Sequence, residues 1–174
     1  MNILVKILFL LCLSGAFLQT NGSVVCPRIV GGKNAMVGEF PYQVLWKNDG
    51  EIYCGGSIFN ASTIITAAHC CKEYDNSLDL RKAEIVAGQI NRIKPGGQSR
   101  KIESYISHPD FIGLNCDVHG CTGNHFNDIC LLTLDSNLDF NDNVTSIELN
   151  TEDLSASTCC TVSGWGALHV SQII

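Results

Sequence analysis

Between Tyr42 and about Ile147 the chain is cut into short apolar runs, and this punctuation limits the folds open to it. The runs are Tyr42–Trp46, Ile52–Tyr53, Ser57–Phe59, Thr63–Ala67, Glu84–Ala87, Ile102–Ile106 and Ile129–Leu134, separated by Gly, Asn, Asp and Pro. None keeps a helical period for three turns. Runs this short, rich in β-branched and aromatic residues and spaced by turn formers, predict an all-β fold, sandwich or barrel. A chain of 174 residues, 45% hydrophobic and only 16% charged, has enough apolar side chains for one domain core. The charge balance is acidic, with a formal net charge of -6. No basic run and no interleaved aromatic ladder is present, which argues against nucleic acid as a partner.

Residues 1–22 read as a secretory leader. Lys6 is their only charge, Ile3–Leu13 forms an apolar stretch, and Ser14-Gly15-Ala16 or Gly22 offers a place for cleavage. That stretch is too short and too early for a good membrane span, and no later run reaches eighteen apolar residues. The expectation is an exported protein, secreted and extracellular, with no membrane partner. Export changes how the ten cysteines are read, because an oxidising compartment favours disulfides. Cys12 leaves with the leader, so nine remain and at least one sulfur lacks a partner within the chain. The sequons at Asn21, Asn60 and Asn143 fit the same route.

The stretch Ile64-Ile65-Thr66-Ala67-Ala68-His69-Cys70 predicts a buried strand that ends by presenting an imidazole. Taken alone, His69 is a general base, a metal ligand or a hydrogen-bonded core residue. Asp128 taken alone is an ordinary turn or cap residue, and Arg28 a solvated side chain.

Four further segments decide among these: Arg28-Ile29-Val30-Gly31-Gly32, Cys54-Gly55-Gly56-Ser57, Asn127-Asp128-Ile129-Cys130-Leu131-Leu132 and Ser163-Gly164-Trp165-Gly166. With them the chain resembles a trypsin-like (chymotrypsin-fold) serine protease zymogen, from about Arg28 to Gly166. The resemblance implies a double β-barrel of six strands each, the first present and the second largely missing. Only Thr158–Gly166 looks like the start of the second. It also implies a division into leader (1–22), activation peptide (23–28) and an incomplete peptidase domain (29–174). An activating protease would cut after Arg28. The freed ammonium of Ile29 would then seek a buried carboxylate, because a buried charge needs a partner.

For chemistry, the resemblance makes His69 the general base and Asp128 the carboxylate that orients it, acting on a protein or peptide substrate. A hydroxyl nucleophile needs both at neutral pH. The serine itself should sit in a Gly-Asp-Ser-Gly-Gly context, and no such stretch occurs in these 174 residues. Ser57 and Ser163 correspond to structural positions. The expectation is therefore a serine endopeptidase by lineage whose polypeptide, as written, is inactive for want of a nucleophile. The alternative is a secreted, non-catalytic homologue acting as a binding module.

The resemblance also implies a Cys54–Cys70 disulfide. Cys116 and Cys121 are close enough in sequence to close a local loop. Cys159 or Cys160 matches a cysteine whose family partner would lie beyond residue 174. Cys26, Cys71 and Cys130 find no pairing, and Cys130, where the family has a small residue, reads as a buried thiol. Zinc at Cys116, His119, Cys121 and His125 is disfavoured because the spacing fits no common pattern. In the loop Gly88–Pro95, neutral and basic residues stand where the family's calcium binders have acidic ones, so no calcium is expected. No metal and no cofactor are expected at all.

Overall fold

A computed structural model of the chain describes residues 32–72, 79–94, 96–113, 115–117, 120–123, 125–155 and 158–166. The leader, the activation site at Arg28 and Ile29, Asn21, Cys26 and His119 lie outside the described residues. Among the described residues, eight strands and one single-turn helix form: β1 Gln43–Asn48, β2 Glu51–Asn60, β3 Thr63–Thr66, α1 Ala68–Cys71, β4 Ala83–Ala87, β5 Gln98–Ser107, β6 Asn115–Asp117, β7 Gly120–Thr122 and β8 Cys130–Leu134. Six of them close a barrel in the order β1-β2-β3-β8-β5-β4, and β6 pairs only with β7. All the barrel pairings are antiparallel. The described residues are nearly all β, with one closed six-stranded barrel, as expected.

The sequence builds the barrel by alternation. In β8, Cys130, Leu132 and Leu134 point into the core while Leu131 and Thr133 do not, as the two-residue period of a strand requires. Val44 and Trp46 of β1, Ile58 of β2, Ile64 of β3 and Ile85 of β4 fill the same interior. Asp49 and Gly50, at φ 53° and 83°, form the two-residue turn between β1 and β2, the backbone signature of a primed hairpin turn. The two ten-residue strands must bend around the barrel. Register shifts occur in both, at Ile58/Asn60 in β2 and Ile102/Ser104 in β5, where a bulge adds local twist. Gly56 is required by packing: a Cβ there would lie 2.8 Å from Ile64 Cγ2 and 2.9 Å from the Ile65 carbonyl oxygen.

After β8 the chain runs back across the barrel without forming a further strand among the described residues. Backbone amides of Leu138, Thr145 and Ile147 donate to the carbonyls of Ala61, Pro41 and Ile58. The segment 158–166, expected as the opening of a second barrel, has no strand assigned to it and is tethered to the first barrel. Ser163 Oγ donates to Gln43 Oε1 at 2.7 Å and Trp165 Nε1 to the Ile90 carbonyl at 2.7 Å. No helix among the described residues is long and apolar enough to cross a membrane.

One cysteine expectation is corrected. Cys130 is no thiol: it is buried and bonded to Cys71, with Cα atoms 6.6 Å apart. Of the two alternatives Cys159 and Cys160, Cys159 is disulfide-bonded. Cys160 is free and exposed. Cys54 and Cys70 are joined, and Cys116 faces Cys121 in the β6–β7 register. Asn60 and Asn143 are both exposed.

Candidate active site

His69 and Asp128 meet where one barrel seam ends. The β3–β8 ladder stops at the Thr66 to Cys130 pair, and the chain on each side then leaves the sheet. Past Thr66, Ala67 remains extended and α1 begins, with no side chain capping its amino end. The first amides of a helix have no internal acceptor, so the His69 N–H is free to donate outward. On the other side Asn127 adopts φ 53°, a left-handed conformation that asparagine tolerates better than most residues. The Ile129 amide bonds back to the Asn127 carbonyl, which makes Asp128 the apex of a tight turn. Asn127 Nδ2 holds that turn to the Asp110 carbonyl at 2.9 Å.

The Asp128 carboxylate accepts two hydrogen bonds from one residue. His69 N–H reaches Oδ1 at 2.8 Å and His69 Nδ1 lies 2.8 Å from Oδ2. An ionised carboxylate can only accept, so the proton between them belongs to Nδ1 and the lone pair of the neutral imidazole is on Nε2. Burial raises the Asp128 pKa, but the side-chain and backbone hydrogen bonds from His69 outweigh it, and the carboxyl is held below its ordinary value. It stays ionised through the neutral range. The His69 side chain keeps 48% of its accessible surface, so Nε2 is open to an incoming group.

Behind the pair the support is covalent as well as polar. Cys70 is bonded to Cys54 in β2 and Cys71 to Cys130 at the start of β8. Thr66, buried at the end of β3, donates its hydroxyl to the Gly55 carbonyl at 2.7 Å. His125 is a member of this neighbourhood that sequence reasoning placed elsewhere, among Cys116, His119 and Cys121. Its ring stacks on Phe111 at 5.9 Å and lies 5.3 Å from the His69 ring, and its Nδ1 is buried without a partner among the described residues. Its position two residues before Asn127 was the available signal. Ser57 lies within β2, paired with Gln43 and Ile65. Ser163 is bonded to Gln43.

His69, His125 and Asp128 each bring one ligand atom within 4.8 Å of the others. A divalent ion there would have to use His69 Nε2, since Nδ1 is committed to Asp128. Cys54 and Cys70 also flank His69, but their sulfurs are consumed in a disulfide and offer no thiolate. In the Gly88–Pro95 loop the buried Gln89 donates both amide protons inward, to the Asn91 and Lys94 carbonyls. A neutral side-chain donor thus occupies the point on which those two oxygens converge.

Comparison with known proteins gives the family. The family model described as Trypsin matches residues 29–172. Hypodermin-A of Hypoderma lineatum is 34% identical over 139 residues, covering 80% of this chain and 49% of that protein. Tonin of Rattus norvegicus is 34% identical over 151 residues, 84% of this chain and 54% of its own length. Trypsin of Sus scrofa is 33% identical over 139 residues, 80% and 53%. The chain spans about half the length of the relatives it matches. With the closed barrel and the match over most of its residues, the chain belongs to the trypsin family of serine proteases.

Proposed function

We propose that this chain carries the base-and-carboxylate half of a secreted serine endopeptidase, and that the 174-residue polypeptide by itself does not hydrolyse peptide bonds. The observation that carries the reading is the doubly bonded His69–Asp128 pair. In the proposed reaction His69 Nε2 takes the proton of an attacking serine hydroxyl, and Asp128 stabilises the imidazolium that results. Asp128 also keeps the ring from flipping, because its second oxygen is anchored to the backbone of the same residue. A base without a hydroxyl to deprotonate gives no covalent catalysis, and no glycine-flanked serine of the required kind stands in these residues. Cleavage between Arg28 and Ile29 by an arginine-preferring protease is proposed as the activating step. Disulfides at Cys54–Cys70 and Cys71–Cys130 and exposed sequons at Asn60 and Asn143 support an oxidising, extracellular destination.

The test uses two polypeptides made in an oxidising host. The 174-residue chain should neither release product from peptide amides nor take up an active-site-directed organophosphate. A fusion of residues 29–166 to the carboxyl-terminal half of pig trypsin should do both, and His69→Ala should lower its turnover by at least about 10⁴-fold. A folded fusion indifferent to His69→Ala would show that the pair has no catalytic part. The binding-module alternative would then stand.

A further inference from the structure

His69 and Asp128 both sit on overhangs. The last ladder pair before them is Thr66 with Cys130, so His69 lies three residues past the sheet on one strand and Asp128 two residues outside it on the other. The hydrogen bonds between them are solvent-facing, and exposed polar pairs hold their geometry weakly because water competes for both partners. Something else must keep the two segments together. Cys71 follows His69 by two residues, Cys130 follows Asp128 by two, and those cysteines are bonded to each other. The neighbouring disulfide, Cys54–Cys70, fixes α1 to β2 and does not reach the segment that carries Asp128.

We propose that the Cys71–Cys130 disulfide is a positioning element for the active-site pair, tying the segment that bears the base directly to the segment that bears its carboxylate. The proposal rests on the reading of His69 and Asp128 given above. Along the chain the two residues are 59 apart. Through the bridge they are separated by two residues, one disulfide and two residues. Through the sheet they are joined by three residues, the Thr66–Cys130 ladder pair and two residues, so the bridge closes a short ring around the pair and gives the two overhangs a covalent tie that does not open when the end of the ladder frays. Both cysteines are buried, at 2% and 1% exposure. A disulfide so shielded from external thiols acts as a standing link.

The experiment follows the isotope-labelled full chain by NMR. Two signals report the pairing: the exchange rate of the His69 Nδ1 proton and the titration of the Asp128 carboxyl carbon, whose neighbours are His69 and His125. Amide protection at Val44, Trp46 and Leu132 reports the barrel separately. In Cys71→Ser/Cys130→Ser the barrel amides should stay protected. The Nδ1 proton should exchange faster than in the wild type, and the Asp128 titration should move up toward the ordinary carboxyl range. In Cys54→Ser/Cys70→Ser both signals should keep their wild-type behaviour. A folded Cys71→Ser/Cys130→Ser variant with both signals unchanged overturns the proposal. So does their loss in Cys54→Ser/Cys70→Ser while the Cys71–Cys130 bond is intact, and this second arm decides alone if the first variant does not fold. Neither signal requires turnover, so an inactive trypsin fusion would count against the proteolytic function and leave this result unaffected.

Discussion

Removing the Cys54–Cys70 and Cys71–Cys130 disulfides one at a time should cost unequal amounts of stability, in an order the structure fixes. Cys54–Cys70 closes a loop of sequence separation 16 and Cys71–Cys130 one of 59. If a disulfide acts mainly by restricting the unfolded chain, the entropy it removes grows with the logarithm of loop length, which gives about 3 kcal/mol for the short loop and about 4 kcal/mol for the long one. The loops lie end to end at Cys70 and Cys71 and share no residue, so the losses should add to about 7 kcal/mol. A small domain is stable by about 5–15 kcal/mol, so each single removal should leave a folded barrel and the double removal a marginal one. The assay is guanidinium denaturation of Cys54→Ala/Cys70→Ala, Cys71→Ala/Cys130→Ala and the fourfold variant, followed by fluorescence of the buried Trp46. The slope should rise as each cross-link goes, because the unfolded chain exposes more surface. A larger loss from the short loop than from the long one would refute the entropic argument. The native contacts of Cys54 would then have to account for its stabilisation.

Perturbations at three other positions follow from local structure. Gly56→Ala places a methyl against Ile64 Cγ2 and the Ile65 carbonyl oxygen, and should lower stability by about 1–3 kcal/mol by overpacking, read as a shift in the denaturation midpoint. Gln89→Ala leaves the Asn91 and Lys94 carbonyls without their shared donor, at about 1–3 kcal/mol. Gln89→Glu sets a carboxylate beside the same two oxygens, a hard-oxygen set, so melting of that variant should become calcium-dependent while the wild type stays indifferent. Asp128 has its pKa lowered in the folded state. Its contribution is therefore fully present above the ordinary carboxyl value, about 3.9, and is lost as pH falls through the lower folded value. The stability gap between wild type and Asp128→Ala should narrow across that acid window and stay constant above it.

Most of the barrel is legible in the sequence because its strands are short and one-sided. Glu84–Ala87 and Ile129–Leu134 differ from β4 and β8 by one residue at their first positions. The failures have physical causes. Ile52–Tyr53 and Ser57–Phe59 read as two runs, yet β2 is one strand through Cys54-Gly55-Gly56. Glycines that look like a turn are there because Ile64 and the Ile65 backbone approach too closely for a side chain. The polar first half of β5, Gln98–Lys101, carries no apolar signal because partial or full exposure suits polar side chains there. The helix α1 is four residues long, below the length at which any period can be seen. In the site, the motif segments containing His69 and Asp128 pointed to them individually, but their contact spans 59 residues and only the barrel supplies it. The Cys71–Cys130 bond was illegible for the same reason. The equal two-residue offset from His69 and Asp128 was its only trace in the sequence.

Whether Asp128 fixes His69 so that Nε2 is the basic nitrogen can be read from the imidazole ¹⁵N chemical shifts of His69 in the intact chain at a pH where the ring is neutral. Nδ1 should show the shift of a protonated nitrogen and Nε2 that of a bare one, with that preference lost in Asp128→Ala. A proton residing on Nε2, or a tautomer ratio unchanged by Asp128→Ala, would contradict this role of Asp128.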